Sequence, residues 1–235
     1  MAELFIELFS EEIPAKLQTD AREKIKRMLE ENLKKKEINF KSSQSYSTPK
    51  RLVFFIDGIP KKIEQKGKII KGPKIDAPEA ALDGFIRSNN LNKADVYKKK
   101  IEKGEFYFAE TKSKTTDILE ELQSIIPETF QTYSWKKSMK WSTYNLNWAR
   151  PLKSIISLFN NKVIDFNFFH LRSGNLTFID GVHEETIKKI NSYETYLNTL
   201  KSQNIILDQE KRKSLVINKM SSICNARKLK NNFDE

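Results

Sequence analysis

The chain changes its hydrophobic period soon after it begins, and that change limits what it can fold into. Leu4, Ile6 and Leu8 alternate with Phe5, Glu7 and Phe9, the two-residue repeat of a strand. From Ile13 the spacing lengthens. Ile13, Leu17, Ala21, Ile25, Leu29 and Leu33 recur at four-residue steps and lay one apolar stripe along a helix. Between the two, Ser10-Glu11-Glu12-Ile13-Pro14 reads as a helix start, with Ser10 or an acidic neighbour as the cap and Pro14 in the first turn. A strand that runs directly into an amphipathic helix calls for a sheet and helices around a shared core.

The rest of the chain keeps this mixture. Leu52, Phe54 and Ile56 give a second strand, with Asp57-Gly58 as a turn signal at its end. Lys61 to Pro73 is basic and glycine-punctuated, and reads as a loop or exposed strand. Glu79 to Ser88 is a short helix. Phe106 and Phe108 alternate with Tyr107 and Ala109 on the return arm of a hairpin at Gly104. Ile118, Leu119, Leu122, Ile125 and Ile126 mark an amphipathic helix, and Leu152, Ile155, Ile156 and Phe159 mark another, begun by Pro151. Val163 to Phe169 reads as a strand. Tyr193 to Leu200 and Gln209 to Cys224 read as helices, the second capped by Asp208. The class is therefore α+β: a mixed or antiparallel sheet with packed amphipathic helices, ending in a helical segment. Residues 1–190 form one α+β region open to division into two subdomains. Residues 191–235 are expected to belong to an incomplete following domain. Leu4, Ile6, Leu8, Ile25, Leu29, Leu52, Phe54 and Ile155 are the expected core.

Charge narrows the partners. Against 31 Asp and Glu stand 42 Lys and Arg, a formal net charge of +11. Such an excess suits a polyanion, because phosphate contacts release counterions and steer association. An AT-rich genome also enriches Lys, Asn, Ile and Phe, so the charge by itself leaves both readings open. The single cysteine, Cys224, excludes an internal disulfide and a multi-cysteine metal site, and is expected to pack as a small buried hydrophobe. Leu4 to Phe9 is too short to span a bilayer, is broken by Glu7 and follows no basic segment, so a soluble, cytoplasmic protein without membrane contact is expected.

Signs of an active site are missing. No G-x-x-x-x-G-K-[ST] or G-x-G-x-x-G cradle occurs among the seven glycines, and His170 and His183 lack metal-site spacing. Each histidine reads as structural or surface. Lys219-Met220-Ser221-Ser222 resembles part of the K-M-S-K-S loop of class I synthetases, but it lies in a helical stretch and no H-I-G-H element precedes it. In Glu11-Glu12 and Glu184-Glu185 neighbouring side chains diverge, which suits caps or solvated faces better than acid–base pairs. No catalytic residue and no metal site is expected.

Several segments, in one order along nearly the whole chain, carry a resemblance. Leu4-Phe5-Ile6-Glu7-Leu8-Phe9-Ser10-Glu11-Glu12-Ile13-Pro14-Ala15 resembles a strand running into T-E-E-[LI]-P. Tyr46 to Leu52 is similar to T-P-R-R-L, and Lys71-Gly72-Pro73 with Gly84-Phe85-Ile86-Arg87 to G-P … G-F-A-R. Lys137 to Trp141 is similar to K-x-M-R-W, and Trp148 to Leu152 to F-x-R-P-[IL]. Ser173 to Thr177 matches the following small-residue turn, and Tyr193, Leu197 and Ile206 to Arg212 the helices after it. Together these resemble the N-terminal portion of the beta subunit of bacterial two-subunit glycyl-tRNA synthetase. Two departures are local: Phe178-Ile179-Asp180-Gly181 stands where the family has G-H-R-F, and the stretch before Gly84 is shortened.

The resemblance implies a part in glycine–tRNA ligase, an α2β2 heterotetramer. Its alpha subunit carries the class II core that binds glycine, ATP and Mg, and its beta subunit holds tRNA(Gly). This chain would bind no cofactor and be inactive alone. The family's HD-type and anticodon-binding domains have no counterpart here, so a fragment or a truncated gene product is expected. Lys50, Arg51, Lys71, Arg87, Lys137, Lys140 and Arg150 lie in the matched segments and are the candidate RNA contacts. Trp141 and Trp148 read more readily as core than as stacking platforms. The alternative role is an assembly module that docks the alpha subunit with little RNA contact.

Overall fold

A computed structural model describes residues 2–65, 69–89, 91–101, 104–110, 114–141, 143–180 and 185–230. Strand β1 (Ala2–Ser10) is followed by helix α1 (Ala15–Lys35), as the change of period predicts. The cap differs. Pro14 itself is the N-cap residue and no side chain caps the helix; the Ser10 hydroxyl donates instead to the carbonyl of Glu11. Ala21, Ile25, Leu29 and Leu33 are the buried stripe of α1. Strands β2 (Ser42–Thr48) and β3 (Arg51–Ile59) form the next hairpin. Asp57-Gly58 does not end β3. Gly58 takes a φ of +83° inside the strand, where the register against β1 shifts by one residue, so the dipeptide makes a bulge and not a turn.

The chain falls into two compact units: Met1–Lys61 with Ile118–Glu235, and Lys62–Asp117. In the smaller unit, β4 (Lys62–Gln65) precedes β5 (Ile69–Lys74), helix α2 (Glu79–Ser88), β6 (Val96–Ile101), β7 (Gly104–Glu110) and β8 (Lys114–Asp117). The expected hairpin is β6 with β7, Ile101 facing Gly104, and β5 joins the far side of β7. β4 and β8 pair with each other, Lys62 opposite Asp117. Gly72 has a physical reason. A Cβ there would lie 2.9 Å from the Phe85 ring, so Lys71-Gly72-Pro73 and Gly84-Phe85 are linked by close packing.

The larger unit resumes with α3 (Ile118–Thr132) and then β9 (Leu152–Phe159). Here the helix expected after Pro151 is overturned. β9 is the antiparallel neighbour of β1, with Leu8 opposite Ile155 and Leu4 opposite Phe159. The strand is covered on both faces, which removes the polar alternation and leaves an apolar spacing that imitates a helix. The strand expected over Val163 to Phe169 is broken into β10 (Lys162–Val163) and β11 (Asn167–Phe168), the latter paired with β12 (Leu171–Arg172). β13 (Leu176–Asp180) pairs with β14 (Glu185–Lys189), and helices α4 (Tyr193–Ser202) and α5 (Gln209–Ala226) follow.

The main sheet has the order β10-β9-β1-β3-β2, antiparallel throughout, with β1 at its centre. α1 packs against α3 and lies on β2 and β3. On the other face Phe5, Val53, Ile156 and Leu158 share a core cluster with Ile179, Tyr196, Leu200 and Leu207. All eight expected core residues are buried. The boundary expected at 190 is not a break in packing, because α4 supplies Tyr196 and Leu200 to this central core. α5 differs, with no buried residue; its Asp208 cap accepts from the amides of Glu210 and Lys211. Cys224, on α5, is half-buried and not the enclosed hydrophobe expected.

Candidate nucleic-acid interface

Three of the resemblance-bearing segments meet at one place. The Ser10 amide donates to the Lys50 carbonyl at 2.9 Å, Glu11 to Pro151 at 3.0 Å and Ile13 to Pro49 at 2.7 Å. Backbone bonds thus tie the approach to α1 to the β2–β3 turn and to the Arg150-Pro151 segment. Beside this junction lies a groove of about 690 Å³. Leu17 and Ala149 contribute its apolar part; Lys16, Lys136, Lys137 and Arg150 are its cations. Lys137 and Arg150 were legible as candidates. Lys16 and Lys136 were not, since Lys16 is a lone lysine in the first turn of a helix and Lys136 reads as an ordinary solvated charge beside Lys137.

The groove's cations are only lightly neutralised among the described residues. Lys136 lies 3.5 Å from Asp20, which Lys24 also approaches at 3.1 Å. The Lys24 hydrogen bond holds the Asp20 carboxyl below its usual value, and the charge of Lys136 adds to that. The Arg150 guanidinium is half-buried and donates to the Ala149 carbonyl at 3.0 Å. Lys140 is exposed and donates to Asn145 Oδ1 at 3.0 Å. Lys50 is half-buried in the β2–β3 turn.

Arg51 is a correction. It is 3% exposed, and its Nε lies 3.2 Å from Glu7 Oε2. Its Nη2 donates to the Phe178 carbonyl, and its guanidinium rests on the Phe9 ring, 4.7 Å from the centroid. The Tyr196 hydroxyl donates to the same Glu7 oxygen. Burial pushes the Glu7 carboxyl above the ordinary glutamate value, with the Arg51 charge opposing the rise. Burial, then Glu7, pushes the Tyr196 phenol far up. Arg51 therefore braces the sheet centre and cannot face RNA.

Lys71 and Arg87 belong to the smaller unit, both exposed; Lys71 Nζ sits 3.6 Å above the Phe106 ring. One member of each acidic pair, Glu11 and Glu185, is a salt-bridge partner. Lys153 lies 2.8 Å from Glu185 and 3.5 Å from Glu11, and the Glu185 hydrogen bond leads in raising its pKa. Glu184 and His183 lie outside the described residues. Trp148 is 1% exposed and belongs to the core, while Trp141 is half-buried. Among the described residues, no three His, Cys, Asp or Glu side chains are grouped to hold a metal ion. Nor is any helix long and apolar enough to cross a membrane.

Fold and groove together define an α+β protein whose distinguishing surface is a cation-rimmed hollow beside the N-terminal strand–helix junction. Residues 4–235 match the family model described as the glycyl-tRNA synthetase beta subunit. The glycine–tRNA ligase beta subunit of Rickettsia typhi is 36% identical over 229 residues, which is 97% of this chain and 34% of that protein. That of Rickettsia felis is 36% identical over 231 residues, 97% of this chain and 35% of the relative. The chain belongs to the glycyl-tRNA synthetase beta subunit family. It spans about a third of the length of the curated relatives it matches.

Proposed function

We propose that this chain is a tRNA-binding, non-catalytic portion of glycine–tRNA ligase, which supports ATP-dependent attachment of glycine to tRNA(Gly) on an alpha subunit. The observation that carries this reading is the groove rimmed by Lys16, Lys136, Lys137 and Arg150 in a chain of net charge +11. Cations held on a firm scaffold neutralise phosphates and fix the register of an RNA, and such contacts position without reading sequence. The benefit to the reaction is geometric, because holding the acceptor end removes much of the entropy of bringing two reactants together. ATP and Mg belong, in this reading, to the alpha subunit of an α2β2 assembly in the cytoplasm.

Fluorescence anisotropy of labelled tRNA(Gly) over a salt series tests it. Affinity should fall steeply with salt, and Lys137→Ala and Arg150→Ala should each reduce the slope by about one unit. Salt-independent binding, or slopes unchanged in both variants, overturns the groove as a phosphate site. If those variants instead impair capture of the alpha subunit, the groove is a docking surface. Glycine-dependent ATP–pyrophosphate exchange supplies a second check, and activity of the purified chain without an alpha subunit overturns the division of labour.

A further inference from the structure

We infer that the rings at the β11–β12 turn, Phe169 and the set that Trp141 and Tyr144 form on His170, are a stacking platform for unpaired nucleotides of the bound RNA; this rests on the RNA-binding reading above. Tyr144 lies flat on His170, with centroids 4.0 Å apart and planes 20° apart, and Trp141 meets the same imidazole edge-on at 5.9 Å. His170 is held from below: its Nε2 is 3.3 Å from the Leu152 carbonyl. Phe169 stands edge-on to Phe168, which in turn packs edge-on against the buried Trp148. The inner rings are anchored and the outer ones are open, Tyr144 at 40% exposure and Phe169 at 47%.

Phe169 is the informative residue. It occupies the two-residue turn between β11 and β12 with a φ of +53°. That conformation suits Gly or Asn and is an outlier for a bulky side chain. Folding alone would favour a small polar residue here, yet the turn displays a benzyl ring to solvent. Next to it is a hollow of about 280 Å³ lined by Phe169 together with Gln131, Ser138, Asn145 and Asn147. Amide and hydroxyl groups of this kind present both donors and acceptors, as a base edge requires. Asn145 also receives the hydrogen bond of exposed Lys140, which places a cation at the border of the hollow. Open rings, neutral polar groups and a lysine together match single-stranded RNA, whose base faces are free to stack; a duplex hides them. A protein partner would be served by the rings but has less use for the cations.

The test compares a short labelled oligoadenylate with the same strand annealed to oligouridylate, and with tRNA(Gly), on the full chain. The single strand should bind at least about tenfold more tightly than the duplex. Tyr144→Ala and Phe169→Asn should each weaken oligoadenylate binding by roughly 10–100-fold, while Tyr144→Phe retains it. Asn keeps the left-handed turn comfortable, so Phe169→Asn removes the ring without unfolding the hairpin, as circular dichroism should confirm. The salt slope should stay unchanged in the ring variants, unlike in Lys137→Ala. Equal affinity for strand and duplex, or ring variants that bind oligoadenylate normally, overturns the platform. Salt-dependent tRNA binding that survives loss of the rings leaves the groove assignment standing alone. If neither RNA binds, both readings fail, and ring variants that lose only the alpha subunit mark a protein-docking face.

Discussion

Arg51 shows why residue type and position are a poor guide to exposure. Read along the chain, it is a cation that follows Pro49-Lys50 at a basic turn, a natural phosphate contact. In space it is the counter-charge of Glu7, a carboxylate at 0% exposure on the central strand. Removing one member of a buried pair leaves the other uncompensated, which costs about 3–5 kcal/mol. Arg51→Met should therefore lower stability by that amount in urea titrations, and adding Glu7→Gln should recover part of the loss. The pH dependence has a definite sign. Glu7 binds its proton more tightly folded than unfolded, so its contribution is fully present below the unfolded value of about 4.3. That contribution is lost as pH rises through the higher folded value. Asp20, Glu23 and Asp165 have carboxyls held low and act in the opposite sense, so the Glu7 effect is read against Glu7→Gln. The urea midpoint relative to that variant should decline as pH climbs out of the acid range, and in the Arg51→Met background the same difference should decline up to a higher pH. A difference from Glu7→Gln that grows in favour of Glu7 over this interval would contradict the direction of the Glu7 shift.

At the scale of elements, legibility followed the number of faces each segment buries. α1 buries one stripe, so its period was plain, and the Asp208 cap of α5 was equally local. β9 is buried on both faces and read as a helix. β2 was missed because Ser42-Ser43-Gln44-Ser45-Tyr46-Ser47-Thr48 carries hydroxyls where a strand usually shows aliphatic residues; its membership rests on pairing with β3. The groove was half legible, through Lys137 and Arg150, because nothing local reveals that α1 will bring Lys16 to them. The two long helices should behave differently. Leu29 on α1 is 1% exposed, and Leu29→Ala should cost roughly 2–5 kcal/mol. Val216 on α5 is 56% exposed, and Val216→Ala should change stability by less than about 0.5 kcal/mol. Hydrogen exchange should agree: the amides of α5 beyond its first turn should exchange far faster than those of α1, since helices without tertiary burial are marginal. Equal protection would mean that α5 is packed in solution.

Across the whole molecule, the smaller unit leaves the main chain at Lys62 and returns at Asp117, and these residues face each other across β4 and β8. A short Gly-Ser link between Lys61 and Ile118 should therefore leave the larger unit folded, with its near-ultraviolet dichroism and a single thermal transition intact. Loss of cooperative melting would show that the unit is required for the main sheet. The position of β1 has a further consequence, for synthesis on the ribosome. The central strand is made before both of its neighbours; its partner β3 appears within some sixty residues, but β9 aligns Phe159 with Leu4. At about 5–20 residues per second, one edge of the central strand waits roughly 8–30 s for its neighbour. During that interval the nascent chain offers an open hydrophobic edge, and a chaperone that covers extended segments would find its client there.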